Sequence, residues 1–286
     1  MIPRPKPKTA TRPARQRLGG SIAQALVSIR SKDHFESVKP THTGIAYRRE
    51  PRRGIAPLAD VWLPESPNGS SLLIIHGGGF LIGSRSMKPV RFLANRLTAA
   101  GIAVCSIDYR MIFRGGRLDE ATDDVASAMG WWTGTCNGYG LDASRVSALG
   151  ISAGGALGLL AASDPRAAGV SRLALLFSVY DFTYLGGPLA SRVPVWLTGS
   201  QDASVWADRS PLNAVQPSIE TLVIHGGQDG IVPFRQAERL VAKRLAADLP
   251  TRTLYFDDQP HAFLNWQCDA AETTAQTLAG FVRGDA

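Results

Sequence analysis

Val146-Ser147-Ala148-Leu149-Gly150-Ile151-Ser152-Ala153-Gly154-Gly155 runs from a strand-length apolar stretch straight into glycines around one serine. The G-x-S-x-G spacing suits a strand that turns sharply into a helix, because side chains on the flanking positions would collide with the corner. Upstream, Ser71-Leu72-Leu73-Ile74-Ile75 leads into His76-Gly77-Gly78-Gly79-Phe80, a second strand followed by backbone N–H groups that no side chain covers. Taken together, the two strings describe a nucleophile and a place for the negative charge that its attack creates.

Outward from these strings, the chain alternates strand and helix from about residue 55. Apolar runs at 71–75, 102–107, 145–149, 172–178, 219–224 and 252–256 have strand length. Helical stretches lie between them at about 88–99, 119–133, 153–163, 233–247 and 269–283, the last opening on Asp269 and Glu272 as a reciprocal cap. Apolar strands separated by helices predict a mostly parallel sheet covered on both faces. The alternation breaks at 179–218, where some forty residues carry Phe182, Tyr184, Trp196 and Trp206. That is too long for a connection and reads as an insertion, placed where such sheets bind ligands. A lid over the site is expected, with Phe80, Tyr184, Trp196 and Trp206 as candidate substrate contacts.

A serine hydroxyl needs a base to take its proton and an acid to orient the base. The sequence has five histidines. His34 and His42 precede the sheet, His76 opens the glycine loop and His225 ends a strand. His261 remains, after the strand Leu254-Tyr255-Phe256 and before the last helix. For the acid, Asp229 stands where Ile224-His225-Gly226-Gly227-Gln228-Asp229 turns at the carboxyl edge of the sheet. Asp257 and Asp258 are the rivals, but they share the histidine's own loop. The order serine, aspartate, histidine is that of α/β hydrolases. His76 is expected to hold the glycine loop by a hydrogen bond and His225 to pack beneath the site.

The charge is lopsided. Residues 1–53 hold 13 Lys/Arg against 3 Asp/Glu, and the remainder 18 against 21. The basic excess therefore belongs to the N-terminal segment, read as a disordered tail over 1–20 followed by a helical cap element over 21–45. Ile22, Leu26 and Ile29 give that element one apolar face. The tail lacks interleaved aromatics, so a nucleic-acid partner is not expected. No apolar stretch suits stable membrane insertion. Cys105, Cys136 and Cys268 form no metal or disulfide pattern, which favours a reducing, cytoplasmic setting.

From roughly 45 to 283 the chain resembles the hormone-sensitive-lipase-like branch of the α/β hydrolases. The likeness rests on His76-Gly77-Gly78-Gly79-Phe80, Asp108-Tyr109-Arg110, Gly150-Ile151-Ser152-Ala153-Gly154-Gly155, His225-Gly226-Gly227-Gln228-Asp229 and His261-Ala262-Phe263. The resemblance implies a catalytic domain over 46–286 with the α/β-hydrolase fold. It also implies an oxyanion hole from the N–H groups of Gly78, Gly79 and Ala153, and a cap joining the N-terminal helices to the insertion. The expected activity is hydrolysis of small or medium acyl or aryl esters through an acyl-enzyme, without cofactor or metal, and with a homodimer left open. Amide (arylformamidase-type) and thioester substrates are the alternatives within the same site. A non-catalytic ligand binder, like the plant gibberellin receptor, is the alternative outside it. The chain departs from the family at Ile151, usually acidic, and at Met111-Ile112-Phe113-Arg114, usually Leu-Ala-Pro-Glu.

Overall fold

Six of the strand-length apolar runs become parallel neighbours in one sheet. The computed structural model describes residues 37–48, 57–187, 189–266 and 268–285. Its strands are β1 (His42–Ala46), β2 (Leu58–Trp62), β3 (Ser71–Ile75), β4 (Ala103–Ile107), β5 (Val146–Ile151), β6 (Val170–Leu176), β7 (Glu220–Gly226) and β8 (Thr251–Phe256). They lie in the order β1-β2-β4-β3-β5-β6-β7-β8. From β4 to β8 every neighbouring pair is parallel, and β1 and β2 add an antiparallel edge.

The principal helices are α1 (Lys88–Ala99), α2 (Leu118–Thr135), α3 (Ala153–Ala161), α4 (Arg192–Thr198), α5 (Ala203–Arg209), α6 (Arg235–Ala246) and α7 (Asp269–Arg283). Side chains alternate across a strand, so β3 feeds two cores. Leu72 and Ile74 pack with α1 and α7, through residues such as Phe92, Leu93 and Leu278. Leu73 and Ile75 face the opposite side, with Val125 and Met129 of α2, Leu157 of α3 and Leu240 of α6. This two-sided burial explains why β3 and β4 are apolar except at Ser71 and Ser106 and fully buried.

Three expectations are corrected. The sheet has two more strands than the apolar runs showed. β2 (Leu-Ala-Asp-Val-Trp) is interrupted by Asp60, which is buried because Thr43 Oγ1 and Gly44 N donate to it at 2.9 and 2.8 Å and Arg85 pairs with it. The end of the 21–45 segment is likewise strand and not helix, since β1 starts at His42. Residues 1–20 and the 21–30 helix lie outside the described residues. Finally, α7 is preceded by Cys268 with no side-chain cap. Glu272 instead receives a bidentate bond from Arg96 of α1, clamping two helices on one face.

The insertion carries α4 and α5. Its first residues are held by Gln236 of α6, whose side-chain oxygen accepts from Tyr180 N at 2.7 Å and Asp181 N at 2.8 Å.

Candidate active site

Ser152 sits between β5 and α3 with φ 53° and ψ −115°, a region that non-glycine residues rarely occupy. The corner is held by Ser152 N donating to Leu176 O at 2.9 Å and Gly155 N donating to Ser152 O at 3.0 Å. The flanking glycines are steric necessities. A Cβ on Gly150 would lie 2.3 Å from Gly155 Cα, and one on Gly154 would lie 2.2 Å from Ile75 O. The helix can therefore start only by pressing its backbone against β3 and β5.

His261 lies on the loop after β8, and Ser152 Oγ is 3.0 Å from its Nε2. Its Nδ1 is 2.7 Å from Asp229 Oδ2. A carboxylate only accepts, so Nδ1 carries the proton and Nε2 is left to accept from the serine. The other carboxylate oxygen, Oδ1, accepts from Ile231 N at 2.9 Å and Val232 N at 2.8 Å. Burial alone would raise the Asp229 pKa, but His261 and His225 beside it outweigh burial and hold the carboxyl well below the usual carboxylate range. The structure thus brings Ser152, Asp229 and His261 together in one line. Asp257 and Asp258 are exposed, and neither bonds His261.

The glycine loop runs alongside. Gly78, Gly79 and Phe80 all have positive φ (122°, 64° and 64°), and Leu81 N and Ile82 N both donate to Gly78 O at 3.1 Å. A Cβ on Gly78 would lie 1.8 Å from Ile82 O, so the turn admits no side chain there. Gly78 and Gly79 line the space in front of Ser152. Ala153 is the first residue of α3, so its N–H has no carbonyl four residues back within the helix.

Asp108-Tyr109-Arg110, which follows β4, braces this loop. Tyr109 donates to His76 O at 2.9 Å and stacks on the His76 ring at 4.4 Å. Asp108 accepts from Arg85 N at 2.8 Å and pairs with the Arg85 guanidinium. Arg110 forks onto Asp124 of α2 with two bonds of 2.8 Å. His76 is fully buried with Nδ1 2.7 Å from Gly77 O, and its burial lowers its pKa.

Two apolar cavities meet at Ser152. One, of about 240 Å³, holds His261 and is walled by Met87, Pro89, Phe177 and Leu264. The other, of about 290 Å³, is walled by Phe80, Val179, Leu185, Leu189 and Val193. The insertion therefore reaches the serine, but not through the aromatics expected. Phe80 lines the second cavity, buried edge-on to Phe182 at 6.2 Å. Tyr184 is 45% exposed and lines neither cavity. Trp196 packs edge-on against Phe113 at 5.3 Å, and Trp206 spends its N–H on Ser200 O at 2.8 Å. Trp196 thus ties α4 to the loop after β4, Trp206 ties α5 back to the end of α4, and neither lines either cavity. Sequence reasoning missed the aliphatic walls because isolated aliphatics in loops and in the short α4 carry no pattern. It also missed a second histidine on the acid: His225 Nε2 is 3.3 Å from Asp229 Oδ2.

The BD-FAE family model matches residues 59–171. Esterase LipC of Mycobacterium tuberculosis is 30% identical over 228 residues, which is 71% of this chain and 56% of LipC. The chain thus spans little more than half of that relative. Among solved structures, esterase B from Lactobacillus rhamnosis superposes with a TM-score of 0.71 at 20% identity, covering 93% of each chain. Thermogutta terrifontis esterase 2 phosphonylated by sarin gives 0.70 at 19% identity, covering 86% of this chain and 95% of that one. The sheet order, the serine corner after β5 and these superpositions agree on one architecture: the chain has the α/β-hydrolase fold.

Proposed function

We propose that the protein is a carboxylic ester hydrolase of the hormone-sensitive-lipase-like branch, acting on small or medium esters in a reducing, cytoplasmic setting. The observation that carries this reading is the line Ser152 Oγ–His261 Nε2–Asp229, at 3.0 and 2.7 Å, set at the junction of two apolar cavities. The three similar proteins cited above are esterases by name, which supports the same chemistry.

In this mechanism His261 takes the Ser152 proton as the oxygen attacks the ester carbonyl. Asp229 keeps the imidazole in the right tautomer and offsets its positive charge. The N–H groups of Gly78, Gly79 and Ala153 receive the oxyanion; removing one such donor typically costs about 2.7–4 kcal/mol. His261 then hands its proton to the leaving alcohol. That oxygen must lie beside Nε2, so the alcohol occupies the cavity His261 lines and the acyl chain the cavity under the insertion, which acts as a cap. Water repeats the steps to free the acid.

A panel of p-nitrophenyl esters graded by acyl length, with an anilide and a thioester of the best acyl group, tests the reading. Hydrolysis of short esters that is abolished in Ser152→Ala is the expected result. Turnover of only the anilide or only the thioester would move the activity to the corresponding class. Binding of esters without turnover would make the protein a binder.

A further inference from the structure

His225 is fully buried at the end of β7, four residues before Asp229. Its Nε2 lies 3.0 Å from Val232 O and 3.3 Å from Asp229 Oδ2. Both oxygens only accept, so this nitrogen carries the proton and donates to both as a three-centre bond. The result is a closed ring. Val232 N donates to Asp229 Oδ1 at 2.8 Å, Val232 O accepts from His225, and His225 donates to Asp229 Oδ2.

Asp229 needs such a restraint. The Cβ–Cγ torsion of an aspartate is a broad, soft one. The two loop amides act on Oδ1 alone, and His261 is part of the moving machinery. His225 is the only group on Oδ2, among the described residues, that stays fixed while His261 gains and loses protons. Occupying one lone pair of Oδ2 leaves the other aimed at His261 Nδ1. The His225 ring is held in turn by the edge-on contact with Phe234 at 5.9 Å.

We propose that His225 is a positioning residue for the reaction, fixing Oδ2 of Asp229 toward His261 through an Nε2–H tautomer. The assignment rests on the reading of Asp229 as the acid of an ester hydrolase.

Two measurements test it on the full chain. ¹⁵N-histidine NMR of the unaltered protein reports the tautomer directly and needs no variant; a proton on Nδ1 of His225, with a bare Nε2, would overturn the proposal. The second compares His225→Gln, whose amide nitrogen reaches the place of Nε2, with His225→Asn, whose amide does not. For Asn, kcat should fall on the order of 10²-fold, the usual cost of displacing a reacting group by about 1 Å, with KM changed much less. The low-field proton signal of the His261–Asp229 hydrogen bond should move or broaden with it. Gln should restore both kcat and the signal. Equal kcat for Gln and Asn, or an unmoved signal in Asn, would make His225 a packing residue only. If the unaltered protein hydrolyses no ester, the ester reading fails by itself and the tautomer measurement still decides this one.

Discussion

Asp229 is the residue on which the reading of the site leans hardest. Asp229→Asn should lower kcat by roughly 10⁴-fold, as in the serine-protease case, because an amide neither stabilises the imidazolium nor enforces the Nδ1–H tautomer. Asp257→Asn and Asp258→Asn should be nearly silent, since both carboxylates are exposed away from His261. Steady-state rates of the three variants on one ester check this, and a crippled Asp257 or Asp258 variant would move the acid. Gly154→Ala should be among the worst small substitutions, since its Cβ would lie 2.2 Å from Ile75 O, a rigid strand backbone. Its unfolding midpoint in urea should drop clearly below that of the parent. Ser152, Asp229 and His261 were legible because glycine flanks and chain order are written in the sequence. His225 was not, because a histidine ending a strand looks like any core residue until its distance to Asp229 is known. Trp196 and Trp206 misled for a related reason: aromatic content does not say which side of a helix faces the substrate.

At the scale of elements, the alternation located β3 to β8 and five helices: the central strands, buried on both faces, are mostly apolar, and the edge strand β8 shows itself by its β-branched and aromatic residues. It passed over β2, where Asp60 interrupts the run and is tolerated only through Arg85 and the β1 donors. The loop after β4 is the brace of the glycine loop. Tyr109→Phe removes the hydroxyl on His76 O and should cost about 1–3 kcal/mol, the penalty for stranding a buried acceptor, with a matching loss in thermal midpoint. The insertion should set acyl preference through its aliphatic wall. Val193→Trp is expected to shift the acyl-length optimum to shorter chains, whereas a change of alcohol group at fixed acyl should affect parent and variant in the same ratio. A shift in alcohol preference instead would exchange the two cavities.

For the whole molecule, the chain enters the sheet at the end away from the serine. Trp62, whose Nε1 donates to Val38 O at 2.9 Å, pairs with Val104 near the start of β4, while Ser152 follows the carboxyl end of β5. Removing residues 1–36 should therefore leave a folded sheet. Removing residues 1–46 deletes β1 and strips Asp60 of the Thr43 and Gly44 donors, so that variant should melt well below the shorter deletion. Among the described residues, no helix is long and apolar enough to cross a membrane. The central claim is that Ser152 carries the acyl group between two half-reactions. Rapid mixing with p-nitrophenyl acetate, followed by acid quench and peptide mass analysis, tests it most directly. A nitrophenol burst equal to the enzyme concentration and one acetyl group on the peptide containing Ser152 are expected. A burst with the label on another residue, or steady release with no burst and no acetylated peptide at any quench time, would contradict it.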